Sequence, residues 1–191
     1  MRDPFELFRE WFAAARASGL ELPEAMTLAT ADAAGRPSAR TVLLKSADER
    51  GFVFFTNYES RKGHQLAENP RAALVFHWAK EPRRQILVTG DVERVSEAES
   101  DAYYATRPVG SRLAAWASRQ SRPISGREEL ERAYEAAEQA HGEDPLRPPF
   151  WGGYVLVPET IEFWESRPSR LHERLRYIRE ADGWTLEHIS P

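Results

Sequence analysis

The sequence predicts a mainly β protein with flanking helices, an α+β class built on antiparallel strands. Short runs of β-branched and aromatic residues lie between turn signals, and capped helical segments occur near the start and in the middle of the chain. Of the 191 residues, 41% are hydrophobic and 11% aromatic, which excludes a disordered chain. This length fits a single domain spanning residues 1–191.

Charge and cysteine content narrow the classes of function. The net charge is −4, with 30 acidic and 26 basic residues and no block of like charge, which disfavours nucleic-acid binding. No continuous apolar run could serve as a signal sequence or a membrane span, so we expect a cytoplasmic protein that is not bound to a membrane. The chain has no cysteine, so redox chemistry would need a bound cofactor.

The first half of the chain is predicted as a helix, two hairpins and a second helix. Asp3-Pro4-Phe5-Glu6 is typical of a helix start, which places an N-terminal helix within residues 1–20. Ser60 is expected to cap a short helix that stops at Asn69-Pro70. Gly90 predicts a bulge within its strand. The predicted strands are 26–31 with 40–45, then 52–56, and finally 72–78 with 85–95.

The second half begins with a helical excursion over residues 96–142 and ends in strands. Ser96 opens a capping box, Pro108 interrupts the first helix, and further helical pieces follow at 113–117 and from Ser125 to Gly142. The glycines in Trp151-Gly152-Gly153-Tyr154 imply a backbone path that side chains would obstruct. Within residues 151–191 the predicted strands are 154–157, 161–165, 170–179 and 184–189.

The segment Arg40–Lys45 is predicted to be a buried strand with a cation at each end. Side chains alternate between faces at about 3.3 Å per residue, which would place Arg40 and Lys45 on opposite faces roughly 17 Å apart. That separation is too large for one small anion. Either two anionic groups are bound, or both side chains reach water; this segment alone leaves both possibilities open.

Two further groups of hydrogen-bond donors are candidates for phosphate binding. Arg61 and Lys62 lie in the first turn of the helix after Ser60, where an anion would meet backbone N–H groups and both charges. Tyr103 and Arg107 lie one helical turn apart, and Ser111 follows four residues later. Solvated surface cations and an exposed helix face are the more common explanations of these two patterns.

A glutamine and a row of basic residues complete the candidates. Gln85 could bind the polar edge of a flat ring, or lie on the surface. Strand alternation would place Arg170, His172, Arg174 and Arg176 on one face, either as an anion site with a titratable histidine or as an exposed sheet face.

The five histidines show no paired metal-ligand spacing, so no metal site is predicted. Rossmann, phosphate-loop and serine-elbow motifs do not occur, and a cofactor site assembled from several loops stays open.

The chain resembles the pyridoxamine/pyridoxine 5′-phosphate oxidases from Asp3 to Pro191, in the order of that family. The matching pieces are AMTLAT (25–30), RTVLLK (40–45), GFVFFTNYESRKG (51–63), NP (69–70), RQ (84–85), Tyr103 with RP (107–108), QS (120–121), WGGY (151–154), EFW (162–164) and RLHER (170–174).

This resemblance implies a split β-barrel homodimer that binds FMN in two clefts at the subunit interface. The residues that it implies for FMN, drawn from both subunits, are Arg40, Thr41, Val42, Leu43, Leu44, Lys45, Phe55, Thr56, Arg61, Lys62, Gln85, Gln120, Ser121, Trp164 and Arg174. For the substrate phosphate it implies Lys45, Tyr103, Arg107 and Ser111. For the pyridine ring it implies Arg170, Leu171 and His172, with Arg170 and His172 as the catalytic pair.

The reaction implied by the resemblance is oxidation at the 4′ carbon of pyridoxamine or pyridoxine 5′-phosphate by hydride transfer to flavin N5. The product would be pyridoxal 5′-phosphate, and oxygen would reoxidise the flavin to give hydrogen peroxide. A related branch of the family oxidises dihydrophenazine intermediates. The presence of Lys45 with Tyr103, Arg107 and Ser111 favours the vitamin B6 substrate. A flavin oxidase of another substrate and a non-catalytic flavin or pyridoxal phosphate binding protein are the alternatives.

Overall fold

A computed structural model describes residues 2–191. These residues form five α-helices, one 3₁₀ turn at Pro168–Arg170 and nine strands of one antiparallel sheet. The helices are α1 (Pro4–Ala17), α2 (Arg61–Glu68), α3 (Glu97–Ala105), α4 (Val109–Ala117) and α5 (Arg127–His141). The strands are β1 (Ala25–Ala31), β2 (Pro37–Leu43), β3 (Ser46–Asp48), β4 (Gly51–Asn57), β5 (Arg71–Trp78), β6 (Arg84–Arg94), β7 (Trp151–Glu165), β8 (Glu173–Glu180) and β9 (Gly183–His188). None of the helices in the described residues is long and apolar enough to cross a membrane.

The helix caps predicted from sequence are confirmed. The Asp3 carboxylate accepts hydrogen bonds from the N–H groups of the first turn of α1, and Pro4 occupies the first position of that helix. Ser60 accepts from the N–H of Gly63 at the start of α2, and Ser96 caps α3 in the same way. The predicted break at Pro108 separates α3 from α4, although α4 begins at Val109 rather than at residue 113.

The core is an aromatic cluster that α1 shares with the sheet. Phe8 is 1% exposed, and its ring meets Phe52 of β4 edge-on at 5.0 Å and Phe76 of β5 at 5.4 Å. Trp11, one turn later, meets Phe163 of β7 at 5.2 Å. Edge-to-face contacts of this kind add about 0.5–1.5 kcal/mol each to the burial of the rings. The apolar face of α1 therefore packs against the sheet.

The sheet closes on itself through β2 and β3. The strand order is β2-β1-β5-β6-β7-β4-β3, so these two strands stand at the ends of the path, yet only Leu44 and Lys45 separate them in sequence. The Lys45 N–H donates to the Val53 carbonyl at 2.8 Å, and the Leu44 N–H donates to the Glu24 carbonyl at 2.9 Å. The bend at Leu44 and Lys45 is therefore the seam of a barrel.

Strand β7 divides the sheet into two parts. It pairs with β6 along nearly its whole length, while its first half pairs with β4 and its second half pairs with β8. The bulge predicted at Gly90 is confirmed by a register shift between Thr89 and Gly90. A Cβ at Gly90 would lie 2.0 Å from the Val157 carbonyl oxygen, so only glycine fits at this crossing.

The prediction of a buried strand over residues 40–45 was wrong. Strand β2 ends at Leu43, and the side chains along it are exposed or partly exposed in the single chain. Lys45 lies beyond the strand in the seam. The bend ends the simple alternation of faces, so the prediction that Arg40 and Lys45 point to opposite faces was also wrong.

Two predictions for the C-terminal strands were wrong as well. Segments 154–157 and 161–165 are parts of the single strand β7, because Pro158 lies opposite the bulge at Gly90, where it does not interrupt pairing with β6. The strand predicted from Arg170 begins only at Glu173. Ser169 and Arg170 adopt φ values of 58° and 61°, the left-handed region, which no strand residue adopts.

Candidate active site

A cleft of about 510 Å³ lies at the barrel seam, beneath α3 and α4. This volume is typical of sites for small molecules. Four of the side chains that line it are cationic, and none is Asp or Glu. The lining residues are Arg40, Thr41, Val42, Leu43, Lys45, Phe55, Thr56, Lys62, Tyr103, Thr106, Arg107, Pro108, Ser111, Gln120 and Trp151.

Arg40 is fixed by neutral acceptors only. Its Nη1 donates to the Leu28 carbonyl at 3.1 Å and to the Thr30 hydroxyl at 2.6 Å, and its Nη2 donates to Ser38. Burial lowers the pKa of Arg40, and the nearby charge of Arg61 lowers it further. The guanidinium is therefore held in place without a counter-charge.

Lys62 is the most deeply buried cation of the cleft, at 7% exposure. Its ammonium donates to Gln120 Oε1 at 2.7 Å, to Thr56 Oγ1 at 3.1 Å and to Ser60 Oγ at 3.2 Å, all of them neutral oxygens. Burial, followed by repulsion from Arg40, lowers the pKa of Lys62 to about 8. A buried ammonium without a carboxylate costs folding free energy, and an anionic ligand would relieve that cost.

Arg107 lies between the end of α3 and the start of α4, and aromatic rings surround its guanidinium. The guanidinium carbon lies 4.6 Å from the centroid of the Trp151 ring and 5.7 Å from that of Tyr104. Its Nη1 is buried and has no hydrogen-bond partner among the described residues. Burial lowers the pKa of Arg107, although both neighbouring tyrosines oppose this. Pro108 starts α4 without a side-chain cap, and the first N–H groups of a helix attract anions.

Three nearly parallel rings form the aromatic wall of the cleft. Phe55 stacks on Tyr103 at 4.1 Å and on Trp151 at 5.5 Å, and we call these three residues the ring cluster. The Lys45 ammonium lies 5.6 Å from the Tyr103 ring. A Cβ at Gly153 would lie 2.7 Å from the Phe55 ring, so this glycine leaves the space that the ring cluster needs, as the two adjacent glycines predicted.

Of the 21 site residues predicted from sequence, the cleft brings together 12. Leu44 is instead buried in the core at 7% exposure, because it faces inward at the seam. Arg61 is exposed on α2 near Arg40, and Ser121 lies just beyond Gln120 with a left-handed φ of 70°. The other six residues, which do not line the cleft, are Gln85, Trp164, Arg170, Leu171, His172 and Arg174.

These six residues gather at the far end of β7. Gln85, Trp164 and Arg174 are neighbours across β6, β7 and β8, and the His172 ring lies 4.7 Å from the Trp164 ring. Trp151 of the cleft and Trp164 stand at opposite ends of β7, separated by roughly 40 Å of extended strand. One chain therefore cannot bring both groups around a single small ligand.

The row of basic side chains predicted over residues 170–176 is broken in the structure. Arg170 and His172 lie before β8, and the His172 Nδ1 accepts a hydrogen bond from the Arg167 N–H at 3.2 Å. Arg174 forms an ion pair with Glu162 at 2.7 Å, and Arg176 forms one with Glu187 at 2.7 Å. The last two cations are therefore neutralised within the chain.

Sequence reasoning missed three lining residues, namely Thr106, Pro108 and Trp151. Trp151 begins the glycine pair motif, but only the pairing of β7 with β4 places it opposite Asn57 and beside the cleft. No local pattern around Thr106 indicates a binding role.

A closed antiparallel sheet with an unneutralised cationic cleft at its seam defines a split-barrel protein that binds anionic ligands. Residues 12–141 match the family model described as pyridoxamine 5′-phosphate oxidase. Residues 151–191 match the pyridoxine 5′-phosphate oxidase C-terminal dimerisation region. The chain therefore belongs to the pyridoxamine 5′-phosphate oxidase family, and the second match indicates a homodimer.

Relatives and a solved structure extend this finding. A pyridoxine/pyridoxamine 5′-phosphate oxidase from Burkholderia cenocepacia is 57% identical over 192 residues, covering 99% of this chain and 89% of the relative. The protein of the same name from Burkholderia lata is 55% identical with the same coverage. The structure of PhzG from Burkholderia lata 383, in complex with tetrahydrophenazine-1-carboxylic acid, superposes with a TM-score of 0.93 at 35% identity, covering 99% of this chain and 93% of PhzG.

Proposed function

We propose that the protein is an FMN-dependent oxidase that converts pyridoxamine 5′-phosphate or pyridoxine 5′-phosphate to pyridoxal 5′-phosphate, with oxygen as the electron acceptor and hydrogen peroxide as a product; the amine substrate also consumes water and releases ammonia. The observation that carries this proposal is a cleft with four cations and no carboxylate. Two phosphorylated aromatic molecules, a cofactor and a substrate, would supply the missing anions. Family membership and the names of the relatives at 55–57% identity support the same conclusion.

The first phosphate is assigned to FMN. Arg40, Lys62 and the nearby Arg61 form a group of like charges; burial and then Arg61 lower the pKa of Arg40, and burial and then Arg40 lower the pKa of Lys62. Their side chains fit the group, because the buried Lys62 has only neutral partners and the first turn of α2 supplies backbone N–H groups. Thr56 and Gln120, which already bind Lys62, would complete the phosphate contacts.

The second phosphate is assigned to the substrate. Lys45, Tyr103, Arg107 and Ser111 come from the seam, from α3 and from the start of α4, and all four line the same cleft. An ammonium, a phenol, a guanidinium and a hydroxyl can together donate to all three terminal oxygens of a phosphate. The ring cluster beside them offers a flat apolar wall next to the pyridine ring.

The remaining six predicted residues are assigned to the second copy of the chain. Because one chain cannot bring the far end of β7 to its own cleft, Gln85, Trp164 and Arg174 would reach the FMN of the partner. Arg170, Leu171 and His172 would face the pyridine ring in the same cleft. The family match to a dimerisation region over residues 151–191, which include five of these six, supports this arrangement.

The chain itself contributes binding, orientation and charge. Bound FMN would accept the hydride lost from the 4′ carbon of the substrate and pass both electrons to oxygen. Holding the two rings in contact replaces a bimolecular encounter with a unimolecular step. His172 accepts the Arg167 N–H at Nδ1, which leaves Nε2 as the ring nitrogen that can donate toward the substrate. Arg170 would steady negative charge on the ring.

Oxidation of a dihydrophenazine is the second candidate, because the PhzG structure superposes closely. Two Burkholderia lata proteins allow a comparison within one species: the pyridoxine/pyridoxamine 5′-phosphate oxidase is 55% identical to this chain, whereas PhzG is 35% identical. A cleft with a second set of phosphate donors also favours a phosphorylated substrate.

A peroxide-coupled assay tests the proposal with pyridoxine 5′-phosphate, pyridoxamine 5′-phosphate, their unphosphorylated forms and a dihydrophenazine carboxylic acid. We expect a yellow protein that releases peroxide and pyridoxal 5′-phosphate from the phosphorylated forms. Turnover of the dihydrophenazine alone would assign the chain to the second candidate. FMN binding without any turnover would leave a flavin-binding protein, and a colourless protein that cannot be loaded with FMN would reject the flavin proposal entirely.

Complementation between two variants of low activity, assayed at substrate concentrations far below the wild-type KM, tests whether the site is shared by two chains. Lys45→Ala removes a cleft residue, and His172→Ala removes a residue at the far end of β7. In a mixed dimer one cleft carries both changes and the other carries neither. Random pairing makes about half of the dimers mixed, and one of the two clefts in each is intact, so about a quarter of wild-type activity is restored. If each chain built its own site, co-expression would restore nothing.

A further inference from the structure

Trp151 belongs to the ring cluster, and the Arg107 guanidinium lies against its ring. The distance from the guanidinium carbon to the ring centroid is 4.6 Å, within the range of a cation–π interaction. Arg107 makes no side-chain hydrogen bond or ion pair with another described residue, and its Nη1 is buried without a partner. The faces of the surrounding rings are therefore the main contacts that hold this side chain.

The Trp151 ring is itself tightly held. The residue is 7% exposed, and its ring lies nearly parallel to Phe55, at 15°, and to Tyr103, at 10°. Tyr104 meets the ring edge-on at 5.1 Å. The Trp151 carbonyl accepts a hydrogen bond from Arg147 at 2.7 Å, and its backbone pairs with Asn57 of β4. Backbone pairing and three rings thus fix the surface on which Arg107 rests.

We propose that Trp151 is a positioning residue that orients Arg107 toward the substrate phosphate and thereby sets the preference for phosphorylated over unphosphorylated substrates. The proposal rests on the proposed function of the cleft. An arginine side chain has several rotatable bonds, and fixing them before the ligand arrives removes an entropic penalty from binding. The indole holds the Arg107 side chain without adding a negative charge. A carboxylate in its place would neutralise Arg107 and repel the phosphate.

The test compares Trp151→Leu with wild type in the FMN-loaded protein. The measured quantity is the ratio of kcat/KM for pyridoxine 5′-phosphate to kcat/KM for pyridoxine. Loss of the cation–π contact lowers this ratio about tenfold, through KM rather than kcat. Any weaker contact between the ring cluster and the pyridine ring would change kcat/KM for both substrates alike and cancel in the ratio, because only the phosphorylated ligand uses Arg107.

Two further variants separate positioning from general damage to the fold. Trp151→Phe keeps a ring face and lowers the ratio by only about two- to threefold. In an Arg107→Ala background, Trp151→Leu causes no further drop, because the two residues act as one unit. The matched control is Trp116→Leu, which removes a tryptophan of α4 that stacks on His141 outside the cleft and leaves the ratio unchanged.

The inference fails if Trp151→Leu leaves the ratio unchanged or if the drop persists without Arg107. Should Trp151→Leu not fold, Trp151→Phe carries the test, and an unchanged ratio in that variant contradicts the inference. Binding of pyridoxal 5′-phosphate and of pyridoxal, measured by calorimetry, gives a readout without turnover. If wild type prefers the phosphorylated ligand, loses that preference in Trp151→Leu and yet oxidises neither substrate, the inference stands and the proposed function fails. If wild type shows no preference, the inference fails as well.

Discussion

The cleft at the barrel seam and the β7–β8 end of the sheet both gather basic side chains, but the partners of these side chains differ. Arg174 and Arg176 on β8 form ion pairs with Glu162 and Glu187, each at 2.7 Å. Lys62 in the cleft has only neutral oxygens around it, and no carboxylate lines the cleft. A buried cation with only neutral partners therefore indicates an anion site more strongly than the number of cations does, and the assignment of the paired Arg174 to FMN depends on the family resemblance instead.

The physical basis of this difference is the free energy of removing a charge from water. A carboxylate partner recovers part of that free energy within the chain, so a paired cation contributes to structure. A buried cation without such a partner lowers stability until an anion arrives. Stability is therefore expected to be lower around the cleft and to increase when a phosphorylated ligand binds.

The largest predicted effect follows from replacing Lys62 with methionine. FMN affinity falls about 100-fold in Lys62→Met, the equivalent of about 2.7 kcal/mol, because a charge-assisted contact with the phosphate is lost. The Tm of the FMN-free protein rises at neutral pH, because a buried charge without a counter-charge has been removed. Fluorescence titration with FMN and thermal unfolding measure the two effects.

The matched control applies the same change to a paired cation. Arg176→Met keeps FMN affinity at the wild-type value and does not raise the Tm. A fall in FMN affinity as large as that in Lys62→Met would mean that the distinction between paired and unpaired cations does not identify the site.

The next largest effect concerns the cations assigned to the substrate. Lys45→Ala and Arg107→Ala each raise the KM for pyridoxine 5′-phosphate about 30-fold, because each removes a charge-assisted hydrogen bond to the phosphate. Flavin content and kcat change much less. Steady-state kinetics on the FMN-loaded variants provides the measurement. Loss of flavin with an unchanged KM would show that the two phosphate positions have been exchanged.

A smaller effect is predicted for pH. The pKa of Lys62 is lowered from its ordinary value of 10.5 to about 8 by burial and by Arg40, so the ammonium loses its proton as pH rises above 8. FMN affinity then weakens by up to about tenfold between pH 8 and 9, because the phosphate binds the protonated form. Lys62→Arg, which stays charged, removes this component of the pH dependence. Identical pH profiles for wild type and Lys62→Arg would contradict the assignment.

The same pKa shift predicts the sign of a stability effect. Between pH 8 and 10.5 the unfolded chain binds more protons at Lys62 than the folded chain does. The free energy of unfolding of the FMN-free protein therefore gains a contribution that increases with pH across this window. Chemical denaturation at several pH values measures this contribution as the difference from Lys62→Met, which lacks it.

The smallest effect is expected where an ion pair is exposed. The side chains of Arg176 and Glu187 are 42% and 43% exposed. Glu187→Gln therefore lowers the free energy of unfolding by only about 0.2–1 kcal/mol, and FMN affinity and KM stay unchanged. A larger loss in chemical denaturation would show that this pair does more than join β8 to β9.

Local signals predicted much of the fold. The caps at Asp3, Ser60 and Ser96 and the bulge at Gly90 were correct because each depends on a few neighbouring residues. The split barrel came from the family resemblance rather than from periodicity. The family matches confirm it, and the closed strand order agrees with it.

The errors arose where long-range geometry overrides local pattern. Arg40–Lys45 has the composition of a buried strand, but its position at the seam bends it after Leu43. Arg170 appeared to begin a strand, and nothing in the local sequence indicates the left-handed backbone that delays β8 to Glu173. Trp151 lies beside the cleft only because β7 pairs with β4, and this pairing connects residues about 100 positions apart in the sequence.

The unneutralised cations of the cleft are expected to bind phosphorylated ligands. Calorimetric titration of the ligand-free protein with FMN and with riboflavin tests it most directly, since the two flavins differ only in the phosphate. We expect FMN to bind at least about 100-fold more tightly than riboflavin. Affinities within about threefold of each other would contradict it, because a phosphate contact that involves Lys62 and Arg40 could not then contribute more than about 0.7 kcal/mol.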